Sequence, residues 1–200
     1  EEDSQTTILL ALDQKRIGHV HMSCPGTTFD KTRGRRARQK GRPGPRELRD
    51  ATHLLGNPPR GIDCPEGLTP GESRRLQNDN TVTHFYRTVA EHCETNGVTW
   101  TLEARADSWM WEQVAIKGIE AIPGVERVEL HGSAFGGPQP VHLAVIGRLA
   151  GLTRDLLRKC EEDGHRHRPG PPGFELAYPV ELAATLGRLI LDSMKERGLG

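Results

Sequence analysis

The chain has 200 residues, 34% of them hydrophobic, with 23 Gly, 14 Pro and equal numbers of acidic and basic side chains. That length suffices for one domain with a real core, burying roughly 70% of its unfolded surface, but the composition implies a lean core and much irregular chain. The longest apolar runs fall far short of the roughly 20 residues a bilayer-crossing helix needs, and four widely spaced cysteines do not form the framework of a small secreted domain. The expected setting is therefore soluble, reducing and intracellular, without a membrane partner. The chain opens on Glu1-Glu2-Asp3 without an initiator Met, which reads as a fragment of something longer.

The neutral total conceals a strong local asymmetry. Residues 31 to 50 hold nine Lys or Arg against Glu47 and Asp50, a local charge of +7 that the rest of the chain balances.

In chain order, Thr6 to Lys15 predicts a short helix with Thr7 as its cap and Ile8, Leu9 and Leu12 on one face. Ile17 to Met22 predicts a buried strand that ends abruptly at Cys24-Pro25-Gly26. No sustained apolar period follows until about Asn80, so residues 24 to 80 are expected to be a long, flexible, basic and Pro/Gly-rich loop. Val82, Phe85, Tyr86, Val89 and Ala90 recur at helical spacing up to Asn96-Gly97, a helix stop. A strand over Val98 to Glu103 comes next, then Trp109 and Trp111 leading into a short helix through Ile119. Val125 to His131 and Val141 to Ile146 read as strands, and Leu149 to Cys160 and Pro179 to Arg197 as amphipathic helices. Alternation of helix and strand makes the fold α/β.

Three separated islands carry chemistry: Cys24-Pro25-Gly26-Thr27-Thr28-Phe29-Asp30, Leu102-Glu103-Ala104, and Phe135-Gly136-Gly137-Pro138-Gln139-Pro140. In order and in surrounding structure they resemble three blocks of the cytosine-5 DNA methyltransferases: Pro-Cys-x-x-Phe-Ser after one strand, Glu-Asn-Val at the end of the next, and Tyr-Gly-x-Pro-Gln-x-Arg-x-Arg before a later one. The Thr-Thr-Phe variant, the basic stretch behind it, and the tail residues Cys160, Gly164, His165, His167 and Ala177-Tyr178-Pro179 look most like the methyltransferase-like regions of eukaryotic retroelement polyproteins. The resemblance covers about residues 8 to 190. It implies a partial Rossmann-like methyltransferase sheet of about four strands with flanking helices, the last two strands forming the antiparallel edge characteristic of such sheets, in one domain spanning residues 1 to 200.

The resemblance also implies what has been lost. In that family a cysteine thiolate attacks carbon 6 of a flipped-out cytosine, a Glu on the neighbouring strand holds the ring, and S-adenosylmethionine supplies the methyl group. Gly26 stands at the nucleophile position here, Ala104 replaces the Asn after Glu103, and Val141 and Leu143 replace two arginines. Cys24 is the only candidate substitute for the nucleophile, but Pro25 fixes the backbone and displaces the thiol by several ångströms; a buried, inert cysteine is the plainer reading. Glu103 survives as a remnant, although a strand-terminal Glu is usually a solvated edge residue. No Gly-x-Gly phosphate loop follows a strand here, so no cofactor site is expected in the chain as it stands.

The basic run is the remaining functional candidate. Lys31, Arg33, Arg35, Arg36, Arg38, Lys40, Arg42, Arg46 and Arg49 follow the position where the family places its DNA-closing loop, and side chains of this kind contact phosphates with little sequence readout. The ordinary alternative is a solvated, disordered run. Cys160, His165 and His167 offer zinc donors, but a structural zinc site takes four, so a fourth would have to come from His131 or His142. Zinc is accordingly not the expected cofactor. His19 and His21 share one strand face and are expected to be packed or hydrogen-bonded there, and Trp109 and Trp111 to be core or hinge aromatics.

The leading expectation is a non-catalytic methyltransferase-like domain that contacts nucleic acid through its basic loop, intracellular and in a nuclear setting. The alternatives are an active S-adenosylmethionine-dependent cytosine methyltransferase fragment whose cofactor lobe lies upstream, and a metal-stabilised interaction module around Cys160. No oligomeric state follows from the sequence.

Overall fold

The computed structural model describes residues 2–24, 28–31, 46–62, 64–135, 142–162 and 179–198. Within them lie helices α1 (Glu2–Asp13), α2 (Pro70–Asn96), α3 (Val114–Glu120), α4 (Leu152–Glu162) and α5 (Val180–Glu196), and strands β1 (His19–Ser23), β2 (Thr99–Arg105), β3 (Glu126–His131) and β4 (His142–Gly147). The fold is α/β, with one mixed four-stranded sheet in the order β1-β2-β4-β3. This is a partial Rossmann-like arrangement. β1 and β2 are parallel, and β4 runs antiparallel to both β2 and β3.

Strand alternation divides the core in two. Met22, Trp100, Leu102, Ala104, Ala144 and Ile146 point to one face and pack with Leu12 of α1, Val89, Ala90 and Cys93 of α2, and Ile116 and Ile119 of α3. Val145, Val128 and Leu130 point to the other, against Leu152 and Leu156 of α4 and Leu182, Leu186 and Leu189 of α5. Adjacent residues of β4 thus feed opposite cores, which is why that strand reads as a continuous apolar run.

Several boundaries differ from the sequence reading. α1 begins at Glu2, so Thr6 and Thr7 lie inside the helix; its first turns are polar and leave no apolar period to read. Lys15, at φ 53°, ends the helical path. β1 runs to Ser23 because its ladder with β2 starts at His19↔Thr99 and continues to Ser23↔Glu103. The expected loop over 24–80 is shorter, because α2 starts at Pro70. Thr69 caps it, accepting from the Glu72 amide while the Glu72 carboxylate accepts from the Thr69 amide, a reciprocal capping box with Pro70 in the first turn. The stretch before it is also anchored, since Leu48, Leu68 and Leu76 form a small apolar cluster.

Candidate functional site

β1 ends alongside β2 two residues before β2 itself ends, and the two strands deliver the site. The parallel register pairs Ser23 with Glu103, and the Cys24 amide donates to the Glu103 carbonyl at 3.1 Å, so the ladder extends one residue past β1. Glu103 is therefore not the end of its own strand. β2 continues through Ala104↔Ala144 and Arg105↔Leu143 against β4; Glu103 marks where parallel pairing stops and antiparallel pairing alone carries on. A cavity of about 150 Å³ opens there, lined by Ser23, Cys24, Asp30, Glu103, Ser108 and Leu143 among others.

The returning chain forms one wall. Asp30 bridges to Ser108, the Trp109 amide donates to the Phe29 carbonyl at 2.8 Å, and Phe29 is fully buried. Thr28 is held on the other side by a network absent from the sequence reading. Arg49, 0% exposed, donates to Thr28 Oγ1 at 3.1 Å, to Asn80 Oδ1 at 2.7 Å and to the Leu54 carbonyl at 2.6 Å, while the Thr28 hydroxyl donates to buried Asp79. Burial pulls the Arg49 guanidinium down to about 10, against the opposing charge of Asp79.

Glu103 was expected to be a solvated edge residue. It is instead only 9% exposed, and its Oε2 is buried without a hydrogen-bond partner. Across the strands His21 Nε2 lies 3.8 Å from it. His19 and His21 do share a face and are hydrogen-bonded there: His19 Nδ1 lies 2.9 Å from Thr99 Oγ1, His19 Nε2 3.2 Å from Thr101 Oγ1, and His21 Nδ1 2.8 Å from Thr101 Oγ1. Burial pushes the His19 imidazole down to about 4, with His21 adding to the effect.

Cys24 and Glu103 meet at the cavity but serve different faces. Cys24 packs against the cluster containing Met22 and Leu102, whereas the Glu103 carboxylate approaches His21 on the opposite side. Alternation along β1 explains this, since Cys24 is one residue past Glu103's own partner Ser23. Tyr86 lies beside this strand end, its hydroxyl donating to the Ser23 carbonyl; burial raises it to about 12.

The basic candidates divide. Arg33, Arg35, Arg36, Arg38, Lys40 and Arg42 lie outside the described residues, as do Gly26, residues 136–141, His165, His167 and the side chain of Cys160. Those within them are engaged by the fold. Lys31 Nζ sits 4.3 Å over the Trp109 ring and 3.9 Å from Glu112, and Arg46 pairs with Glu72 and donates to the Glu66 carbonyl. Arg49 is a correction: it is a buried clamp, not part of a basic surface, because Phe29, Thr28 and Asn80 enclose it.

Trp111 is buried and donates to the Arg105 carbonyl at 2.7 Å, confirming a core role, and half-buried Trp109 packs against the same core. His131 and His142 stack at 4.7 Å. Among the described residues no group of three or more His, Cys, Asp or Glu side chains is arranged to hold a metal ion, and no helix is long and apolar enough to cross a membrane. No protein-family model, curated protein or solved structure matches the chain.

Proposed function

We propose that this chain is a non-catalytic methyltransferase-like domain, of the kind carried in retroelement polyproteins, that contacts nucleic acid through the basic segment after Asp30. The observation that carries the reading is the parallel register Ser23↔Glu103. It supports a scaffold that brings the end of β1, at Cys24, alongside the strand position of Glu103, and the antiparallel pairing of β3 with β4 agrees with the sheet edge that the resemblance implies.

Two facts favour loss of catalysis. Gly26 has no side chain with which to form a covalent adduct, and removal of a nucleophile costs several orders of magnitude in rate. Cys24 is a poor replacement because it packs on the sheet face opposite the Glu103 carboxylate.

Nucleic-acid contact is the function that remains. Six basic side chains and no acid occur between residues 32 and 45, and neutralising phosphates with such residues gives salt-dependent affinity. The two described flanks, at Thr28 to Lys31 and at Arg46 to Arg49, are tied together by Arg49, which donates to Thr28 and lies over the Phe29 ring. The reading implies an intracellular, nuclear setting.

The test is binding of the chain to a labelled duplex and a labelled single strand between 50 and 200 mM salt, together with label transfer from S-adenosylmethionine to DNA by the full reading frame. Expected are weak, steeply salt-dependent binding, its loss when Arg33, Arg35, Arg36 and Arg38 are replaced by Ala, and no label transfer. Salt-independent binding, or binding unaltered by the fourfold replacement, refutes nucleic-acid contact through this segment. Transfer that disappears in Cys24→Ala establishes the enzyme reading instead.

A further inference from the structure

β1 lies at one edge of the sheet, and its ladder with β2 decides which backbone groups point outward. The Thr99 amide donates to the Gly18 carbonyl at 3.3 Å and the Cys24 amide to the Glu103 carbonyl at 3.1 Å. These two bonds fix the alternation of the parallel pairing, so residues 18, 20, 22 and 24 turn their backbone groups to β2. His19, His21 and Ser23 turn their N–H and C=O groups the other way, and the Ser23 carbonyl accepts from the Tyr86 hydroxyl. Among the described residues no strand or isolated bridge pairs with this outer side of β1.

The two edges of the sheet are built differently. β3, at the far edge, reads Glu126-Arg127-Val128-Glu129-Leu130-His131, and Arg127 pairs with Glu120 and Glu129. Charges of this kind guard an edge against a further strand. β1 reads His19-Val20-His21-Met22-Ser23, with no Lys, Arg, Asp, Glu or Pro, and no bulge interrupts its register. Val20, and Ile17 just before the strand, are only half-buried against the core under α1 and α2.

We propose that β1 pairs antiparallel with β1 of a second copy of this chain, about a two-fold axis through His21. The outward groups are centred on that residue. His21 exchanges both backbone hydrogen bonds with the partner's His21, and His19 does so with the partner's Ser23, whose carbonyl keeps a second lone pair beside its bond from Tyr86. Val20 then lies across from the partner's Met22, apolar against apolar on one face of the joined sheet. Closure selects a second copy over an unrelated strand. A two-fold interface uses the same edge twice, and the joined sheet ends on both sides at the charged β3, where addition stops. The inference rests on strand register and is independent of the methyltransferase reading.

The test is sedimentation equilibrium of the full chain across a concentration series, with amide hydrogen exchange measured on the same samples. Expected is a reversible dimer in which the His19, His21 and Ser23 amides gain protection as concentration rises, while those of Val20 and Met22, bonded to β2 throughout, change little. His21→Pro removes the central outward N–H at a position where an edge strand tolerates proline, so association should weaken at least tenfold while the far-ultraviolet circular dichroism of the fold is kept. Where that variant does not fold, the exchange pattern of the wild type decides. A chain that stays monomeric at every concentration, a dimer whose outward amides remain unprotected, or folded His21→Pro protein that dimerises as well as wild type would each overturn the proposal. Protection of those amides at monomeric mass would assign the edge to a segment of the same chain and overturn it too.

Discussion

The Arg49 guanidinium lies 4.1 Å above the ring of Phe29, twenty residues earlier in the chain, and both side chains are fully buried. Cation and ring are packed together because the same guanidinium also holds Thr28, so Thr28 and Phe29 are both held by a side chain from the far end of the basic segment.

Arg49→Met should therefore destabilise the fold by about 3 kcal/mol, the scale for breaking a buried charged network from one side. It leaves Asn80 Oδ1 without the Arg49 donor, the Leu54 carbonyl with Gln113 Nε2 in place of two donors, and buried Asp79 without its nearby cation. Urea unfolding measures it, and a double-mutant cycle with Asp79→Asn should show coupling, because Thr28 connects the two side chains.

Acid should loosen the start of α2. Hydrogen bonds from Arg46, and then from Thr69, hold the Glu72 carboxyl down to about 2 from 4.5. A depressed carboxylate contributes stability that is present above the unfolded value and lost as pH falls through the folded one, so this contribution disappears between about pH 4.5 and 2. Glu72→Gln should flatten that part of the stability curve followed by circular dichroism. Thr69→Ala, which removes the cap, should cost about 1 kcal/mol at neutral pH.

Thiol reactivity should separate the cysteines. Cys93 is 0% exposed and burial pushes its thiol up to about 12, so too little thiolate forms for attack by an alkylating reagent at pH 8. With the other cysteines replaced by Ser, Cys93 should react with iodoacetamide only at the rate at which the protein unfolds, rising with added urea. Cys64, half-buried in a turn, should react in native buffer.

Two glycines should respond oppositely to Ala. A Cβ at Gly147 would lie 2.6 Å from the Trp100 carbonyl oxygen and 3.2 Å from the Thr101 Cα, backbone atoms of β2 that yield only if the strands separate. Gly147→Ala should cost about 1–3 kcal/mol. At Gly18 the clash is with the terminal methyl of Met194, a flexible side chain that can swing aside, and the melting temperature should hardly change.

Much of the skeleton was legible. β3 and β4 could be read from short apolar runs between Gly and Pro signals, and α5 and the second half of α2 from their 3.6-residue period, because each buries one continuous apolar surface. The first half of α2 was not legible that way, since between Pro70 and Thr81 the helix buries Leu76 as its one apolar side chain. Its capping box was present in Thr69-Pro70-Gly71-Glu72, and that local signal marked the start which periodicity could not. The Arg49 clamp left no trace at all: in the sequence it is one of nine basic residues, and only contact with Phe29, Thr28 and Asn80 sets it apart.

What the sequence determined by itself is which stretches become strands and helices, because local periodicity and caps are properties of neighbours along the chain. The tertiary structure alone decided that Glu103 is buried beside His21, that Cys24 faces away from it, and that β4 inserts between β2 and β3. Those are matters of register and strand order, set by pairings between residues some 40 to 80 positions apart, and a shift of one residue would have turned every one of these side chains to the opposite face.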